Sequence, residues 1–150
     1  MKWITNNIAL FIKWLNFSSP IGDLVLRLWV ADVFWQAGLV KIQSMDTTLM
    51  LFANEYKVPM LTPACAAYLG TGIELLFPLL LALGLLGRFS AGILFFYNIV
   101  AVISCPSLTS AAIEWHIVWG LMLLVSLLRG PGKLSIDYFI WKMVTNRYLI

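Results

Sequence analysis

The sequence predicts an all-α integral membrane protein, a four-helix transmembrane bundle with amphipathic interfacial segments at both ends. Of its 150 residues, 61% are hydrophobic and only 11% are charged, whereas a soluble domain usually carries about 25% charged residues. Four apolar stretches, separated by short polar connections, are long enough or nearly long enough to cross a bilayer as helices. They cover about 24–41, 64–86, 89–104 and 111–128 within a single domain, 1–150.

The distribution of basic residues predicts the orientation. In a four-span layout the outer side keeps only Lys41 and Lys57, which Asp46 and Glu55 offset. Basic residues accumulate on the cytoplasmic side of membrane proteins, so both termini are expected in the cytoplasm. The basic character therefore indicates topology, and no nucleic-acid partner is expected. Seven basic residues fall on the other side: Lys2, Lys13, Arg88, Arg129, Lys133, Lys142 and Arg147.

The segments outside the four spans are expected to lie at the membrane surface or in loops. Residues 1–17 carry apolar side chains at helical spacing on one face, including Ile4 and Ile8, which predicts an interfacial helix. A helix break is expected around Pro20, with Asp23 as the N-cap of the first span. The stretch 42–63 is expected to be the longest loop, and 133–150 a second interfacial segment on the cytoplasmic side.

Glu74 is the residue around which a functional site is expected. It lies near the middle of the second span, where a carboxylate costs roughly 2.5–3.5 kcal/mol and normally meets a partner inside the bundle. Asp32 of the first span should lie at a similar depth, with Arg27 one to two turns nearer the cytoplasm. We expect Arg27 to bridge one or both acids.

These polar residues predict a pocket within the membrane for a quinone or similar small redox molecule. Glu74 and Asp32 are the candidates for proton handling, and a network that only fixes helix register is the alternative. His116 suits a hydrogen bond to a quinone carbonyl, a metal ligand or a cap of its own helix. Because it is the only histidine, no metal site is predicted. The candidate ligand-binding residues are Arg27, Gln36, Lys41, Asn98 and His116.

Two cysteines are expected at the outer face. Cys65 begins the second span and Cys105 ends the third, so a disulfide or redox pair is permitted in an oxidising compartment. Two free thiols in unrelated positions are equally consistent with the sequence, since the separation of the two residues decides whether they can join.

Several short motifs, read in order, resemble a known family. They are Leu26-Arg27-Leu28, Phe34-Trp35-Gln36-Ala37-Gly38-Leu39-Val40-Lys41-Ile42, Phe52-Ala53 leading to Val58-Pro59, Tyr68-Leu69-Gly70-Thr71-Gly72-Ile73-Glu74-Leu75-Leu76, and Gly130-Pro131-Gly132-Lys133-Leu134-Ser135-Ile136-Asp137. From about residue 23 to 137 the chain is similar to the DoxX family of small four-span bacterial membrane proteins. The resemblance implies a multi-pass protein of the bacterial inner membrane tied to redox chemistry. By position, its pattern points to Arg27, Lys41, Glu74 and His116.

Two stretches resemble a particular branch of that family. They are the run from Lys41 to Phe52 and the run from Trp115 to Leu121. They look closer to members that accompany copper-binding bufferin peptides and multinuclear iron oxygenases, which would connect the protein with metal stress.

The function predicted from these observations is the membrane subunit of a redox system, bound in the lipid bilayer and working with a partner protein. If it is an enzyme, it is expected to be a quinone-linked oxidoreductase subunit. The alternative is a non-enzymatic adaptor or small-solute carrier in a metal-stress or copper-binding peptide maturation operon. A homo-oligomer stays open, and four short spans in one copy disfavour a proton-coupled transporter.

Overall fold

The computed structural model describes residues 2–147, and the side chains of residues 7–145. All regular secondary structure in that part is helical, as predicted. Six helices follow one another: α1 Lys2–Gln43, α2 Met45–Asn54, α3 Pro63–Leu83, α4 Gly87–Ser104, α5 Ser110–Arg129 and α6 Ile136–Arg147.

Three of these helices, α3, α4 and α5, are long and apolar enough to cross a membrane. They coincide with the second, third and fourth predicted spans within a few residues at each end. The largest difference is the end of α3, at Leu83 instead of residue 86. Gly84 ends this helix with a φ of 66°, a left-handed conformation that favours glycine after a helix.

Four helices pack in a ring. α1 contacts α3 and α5, and α4 contacts the same two helices from the other side. The centre of the ring is filled by side chains from all four, which exclude water and stabilise the bundle. The buried core consists of Val30, Ala31, Phe34, Leu81, Ala91, Leu94 and Leu123.

The predicted helix break near Pro20 is wrong, because α1 runs from Lys2 to Gln43 with Pro20 inside it. A proline removes one backbone hydrogen bond, but a long helix that continues on both sides tolerates this loss. Asp23 therefore caps no helix, and its carboxylate lies 3.6 Å from Nη2 of Arg129. In the expected interfacial helix 1–17, the side chains of Lys2 and Ile4 lie outside the described part.

The predicted loop 42–63 contains a helix, α2, which a single residue, Ser44, separates from α1. Met45, Leu49 and Phe52 share one helical face and pack against Ala66 and Ala67 of α3. The apolar spacing of Met45, Leu49 and Phe52 is the sequence signal that indicates a helix in place of the predicted loop. Because α2 packs on the first half of α3, it extends the wall that α1 begins.

The opposite end of the bundle is closed by the start of α6. Its Asp137 carboxylate accepts hydrogen bonds from the backbone N–H groups of Leu86 at 2.9 Å and Gly87 at 2.8 Å. These N–H groups lie at the beginning of α4, where they have no partner within the helix. Asp137 thus caps α4 from a distant part of the chain and ties α6 to the α3–α4 turn. Residues 148–150 of the predicted tail lie outside the described part.

Candidate functional site

A charged cluster of Lys41, Glu74 and Tyr97 joins three helices inside the bundle. Nζ of Lys41 in α1 lies 2.5 Å from each carboxylate oxygen of Glu74 in α3. The Tyr97 hydroxyl of α4 donates to Oε1 of Glu74 at 2.8 Å. The Glu74 side chain is only 6% exposed and that of Lys41 18%. The acid near the middle of the second predicted span therefore has a basic partner and a hydroxyl donor.

Two glycines allow these side chains to come together. A Cβ atom on Gly38 would lie 3.0 Å from the backbone of Glu74, so only glycine lets α1 approach α3 this closely. A Cβ atom on Gly70 would lie 3.1 Å from the Tyr97 hydroxyl oxygen. The glycines thus set the helix spacing that the cluster requires.

The cluster lies in the wall of a cavity of about 850 Å³. The end of α1, α2, the first half of α3, the second half of α4 and the first half of α5 all contribute to this wall. Leu69 in the first half of α3 and Phe96 near the middle of α4 line the cavity, and they are 51% and 65% exposed. The cavity therefore opens through the side of the bundle.

His116 and Asn98 form a second polar pair. Nδ1 of His116 lies 2.7 Å from Oδ1 of Asn98, and Nδ2 of Asn98 donates to the His116 carbonyl oxygen at 2.9 Å. His116 lines the cavity, and Asn98 is buried behind it. The imidazole packs edge-on against Trp119, with ring centres 4.9 Å apart, and Trp119 in turn contacts Phe34. The pair thus presents one edge of the imidazole beside an aromatic wall.

Two hydroxyl groups lie near the end of the cavity that α2 covers. Tyr56 stacks on Phe52 with ring centres 4.7 Å apart, and burial raises the pKa of the Tyr56 hydroxyl above its ordinary value. This phenol therefore stays neutral at physiological pH. Ser104 is buried, and its hydroxyl has no hydrogen-bond partner among the described residues.

Comparison with known proteins assigns the chain to a family. The DoxX family matches residues 22–107, which include Lys41, Glu74 and Tyr97. The chain belongs to the DoxX family. It is accordingly a multi-pass membrane protein whose environment is the lipid bilayer.

Two relatives match this DoxX chain over most of its length. "Putative oxidoreductase CatD" of Bacillus subtilis is 30% identical over 140 residues, 88% of this chain and 96% of the relative. An uncharacterized protein of Haemophilus influenzae is 30% identical over 142 residues, 90% of this chain and 93% of the relative. No solved structure matches the chain. The family and the first relative together suggest a redox-associated role in the membrane.

The expected bridge between Arg27 and the acids is wrong. Arg27 is only 2% exposed, and its guanidinium donates to the carbonyl oxygens of Pro131 and, at 2.8 Å, Leu134. Asp137 engages backbone groups at this same end of the bundle. Arg27 lies there because the loop after α5 presents carbonyl groups that no helix satisfies. Its role in this DoxX protein is therefore to hold that loop against the bundle.

Asp32 and Gln36, two of the candidate site residues from the sequence, do not line the cavity. Both are exposed on α1, and Nε2 of Gln36 lies 3.4 Å from Oδ1 of Asp32. Consecutive residues of a helix are about 100° apart, so Asp32 faces away from Phe34, which is buried in the core. The depth of Asp32 in the membrane, which the sequence predicts, does not determine whether its side chain points into the bundle or out of it.

The two cysteines are free thiols in the structure, Cys65 exposed and Cys105 buried. Of the two alternatives that the sequence leaves open, the structure has the two separate thiols. Within the described residues, no group of three or more His, Cys, Asp or Glu side chains is placed to hold a metal ion.

Tyr97 is the site residue that sequence reasoning missed. A tyrosine within an apolar span usually needs a partner for its hydroxyl group, and this rule would have pointed to Glu74. The pairing of Lys41 with Glu74 also had a signal, because Gly38 and Lys41 share a face of α1. The sequence instead places Lys41 on the outer side, since it lies at the end of the first predicted span.

Proposed function

We propose that this DoxX protein is the membrane subunit of a redox system and that it binds a quinone-type molecule in the cavity beside Lys41, Glu74 and Tyr97. The observation that carries the proposal is a charged and hydroxyl-bearing cluster in the wall of an apolar cavity that opens sideways. Sites for small ligands commonly have volumes of about 300–1,000 Å³, with mostly apolar walls and a few polar groups that orient the ligand. The cavity, at about 850 Å³, fits this description.

The residues present fit each part of a quinone. Phe34 and Trp119 offer aromatic surface for a flat ring. The Ser104 hydroxyl, which lines the cavity and has no hydrogen-bond partner among the described residues, offers a hydrogen bond to a ring oxygen. The side opening between Leu69 and Phe96 suits an apolar tail that continues into the lipid. When bound, a quinone would supply reversible two-electron and two-proton chemistry.

Glu74 and Lys41 are the residues that hold and move a proton in this proposal. Together they are neutral as an ion pair, so the cluster places no uncompensated charge in the membrane. The Lys41 side chain is three times as exposed as that of Glu74 and lies at the joint between α1 and α2. We assign Lys41 to proton exchange toward the water side and Glu74 to proton exchange within the cavity. Tyr97 keeps the carboxylate in place through its hydrogen bond.

The proposal includes a topology. α1 crosses the membrane as a fourth span, since it packs along both α3 and α5. The end that carries Arg88, Arg129 and Lys133 faces the cytoplasm of a bacterial inner membrane, as do both termini. In this proposal a protein partner exchanges electrons with the bound molecule.

The test is the binding of a short-chain 1,4-quinone to the protein purified in mild detergent, monitored by tryptophan fluorescence. Mass spectrometry of the purified protein shows in addition whether quinone co-purifies with it. The decisive variant is Ala101→Phe, because Ala101 lines the cavity and a phenylalanine there occupies part of it without replacing a residue of the charged cluster. Ala111→Phe is the matched control, since Ala111 is exposed and does not line the cavity. We expect saturable binding to the wild type and the control, weakened about tenfold or more, at least 1.4 kcal/mol, by Ala101→Phe.

The second candidate is a non-enzymatic membrane adaptor or small-solute carrier, the role predicted for a metal-stress operon. One observation favours it: both oxygens of the Glu74 carboxylate already have partners, so the cluster needs no ligand for its stability. This function predicts no saturable quinone binding to the wild type. It also predicts a protein partner that crosslinks through α2 or α6.

A further inference from the structure

The orientation of the Asn98 amide is determined by its two contacts. A backbone carbonyl oxygen can only accept a hydrogen bond, so the atom 2.9 Å from the His116 carbonyl is the amide nitrogen. The amide oxygen then faces Nδ1 of His116 at 2.7 Å. A flipped amide would place two acceptors together at the first contact. Asn98 consequently offers the imidazole an acceptor and nothing else.

The tautomer of His116 follows from that orientation. Nδ1 must donate to the Asn98 oxygen, and a neutral imidazole carries only one N–H group. Nε2 therefore bears a free lone pair. This atom makes no hydrogen bond to any described residue, and it is not among the buried polar atoms that lack a partner. Since His116 lines the cavity, the lone pair is accessible to a ligand.

We infer that His116 is a hydrogen-bond acceptor fixed by Asn98, and that it makes the cavity select the hydroxyl-bearing, reduced form of a ring ligand, a hydroquinone, over the carbonyl-bearing quinone. The inference rests on the proposed function. A hydroquinone hydroxyl donates to Nε2, whereas a quinone carbonyl oxygen would bring a second lone pair against it. Of the roles that the sequence leaves open for His116, donation of a hydrogen bond to a quinone carbonyl is the one that this tautomer opposes.

The other polar groups near the cavity do not provide the same selection. Lys41 and Tyr97 already donate to Glu74. Ser104 has a hydroxyl without a partner among the described residues, but a hydroxyl can donate or accept and so discriminates weakly. A hydrogen bond gained in one form, and an unpaired acceptor left in the other, together correspond to about a tenfold difference in affinity.

The tautomer can be measured without any ligand. His116 is the only histidine in the chain, so labelling with ¹⁵N-histidine, in a protein purified through a histidine-free tag, gives one pair of ring nitrogen signals. We expect a protonated Nδ1 and an unprotonated Nε2 at a pH where the ring is neutral. Asn98→Leu, which removes the acceptor for Nδ1, should lose this pattern. A protonated Nε2 in the wild type would overturn the inference.

The selectivity is measured by anaerobic titration of a short-chain 1,4-hydroquinone and the matching 1,4-quinone, monitored by tryptophan fluorescence. We expect the hydroquinone to bind about tenfold more tightly to the wild type, and His116→Gln, whose amide can donate or accept, to bring the ratio near one. Asn98 is a positioning residue, so Asn98→Leu should lower the same ratio. Equal affinities in the wild type would overturn this inference and leave the proposed function intact. Binding of neither form would overturn both.

Discussion

The ion pair between Lys41 and Glu74 allows a quantitative prediction about stability. We consider Glu74→Gln, Lys41→Met and the double variant. Glu74→Gln keeps the size of the side chain but leaves the Lys41 ammonium without its counter-charge in a buried site. Breaking a buried pair on one side costs about 3 to 5 kcal/mol, whereas removing both charges costs much less.

The magnitude follows from the contacts of each group. In the double variant the remaining glutamine keeps the hydrogen bond from Tyr97, and no charge is left in the apolar interior. We expect a loss of about 1 to 3 kcal/mol, the range for an imperfectly satisfied buried polar group. Each single loss should therefore exceed the double loss, with an interaction energy of at least about 3 kcal/mol.

The assay is reversible unfolding in mixed micelles of mild detergent and dodecyl sulfate, monitored by tryptophan fluorescence. The ion pair between Arg129 and Asp23 is the control, since its atoms are 3.6 Å apart and the arginine side chain is 59% exposed. Arg129→Met should change the unfolding free energy by only about 0 to 1 kcal/mol. Additive losses from the two single variants at Lys41 and Glu74, within about 0.5 kcal/mol, would refute the reasoning.

Three further predictions concern other parts of the bundle. Gly38→Ala should lower the unfolding free energy by about 1 to 3 kcal/mol, because the new methyl group meets the backbone of Glu74. Gly72→Ala is the control and should be neutral or slightly stabilising, since Gly72 has open space around it. Equal effects of the two variants would contradict the close approach of α1 to α3. Arg27→Met should reduce the unfolding free energy by about 2 kcal/mol or more, since two loop carbonyl groups lose a charged hydrogen-bond donor. The same variant should leave the quinone affinity unchanged in the fluorescence titration. Weakened quinone binding would place Arg27 in the binding site. A membrane-impermeant maleimide added to spheroplasts should label Cys65 but not the buried Cys105; protection of Cys65 until the membrane is opened would contradict the orientation.

Glu74 shows most clearly what the sequence predicts about the site and what it leaves open. Its cost in an apolar span predicts that it is buried with a partner, and the structure has such a partner. The identity of that partner could not be predicted, because Arg27, Asp32 and Lys41 all lie on α1 within a few turns of one another. Which of them faces Glu74 depends on how α1 is rotated and shifted against α3. The close approach of Gly38 to the backbone of Glu74 fixes both the rotation of α1 and its shift along α3.

The sequence by itself determined the features that depend on local pattern: the all-helical class, the spans that became α3, α4 and α5, and the need to neutralise Glu74. Such features follow from the apolar content of a segment and from the free-energy cost of a charge in lipid. Both depend only on residues within a few turns of one helix. Only the tertiary structure decided that Lys41 and Tyr97 complete the cluster, that Arg27 holds a distant loop and that Asp32 faces outward. A helical repeat specifies which residues share a face, but the element that this face meets is decided by packing between segments far apart in the chain.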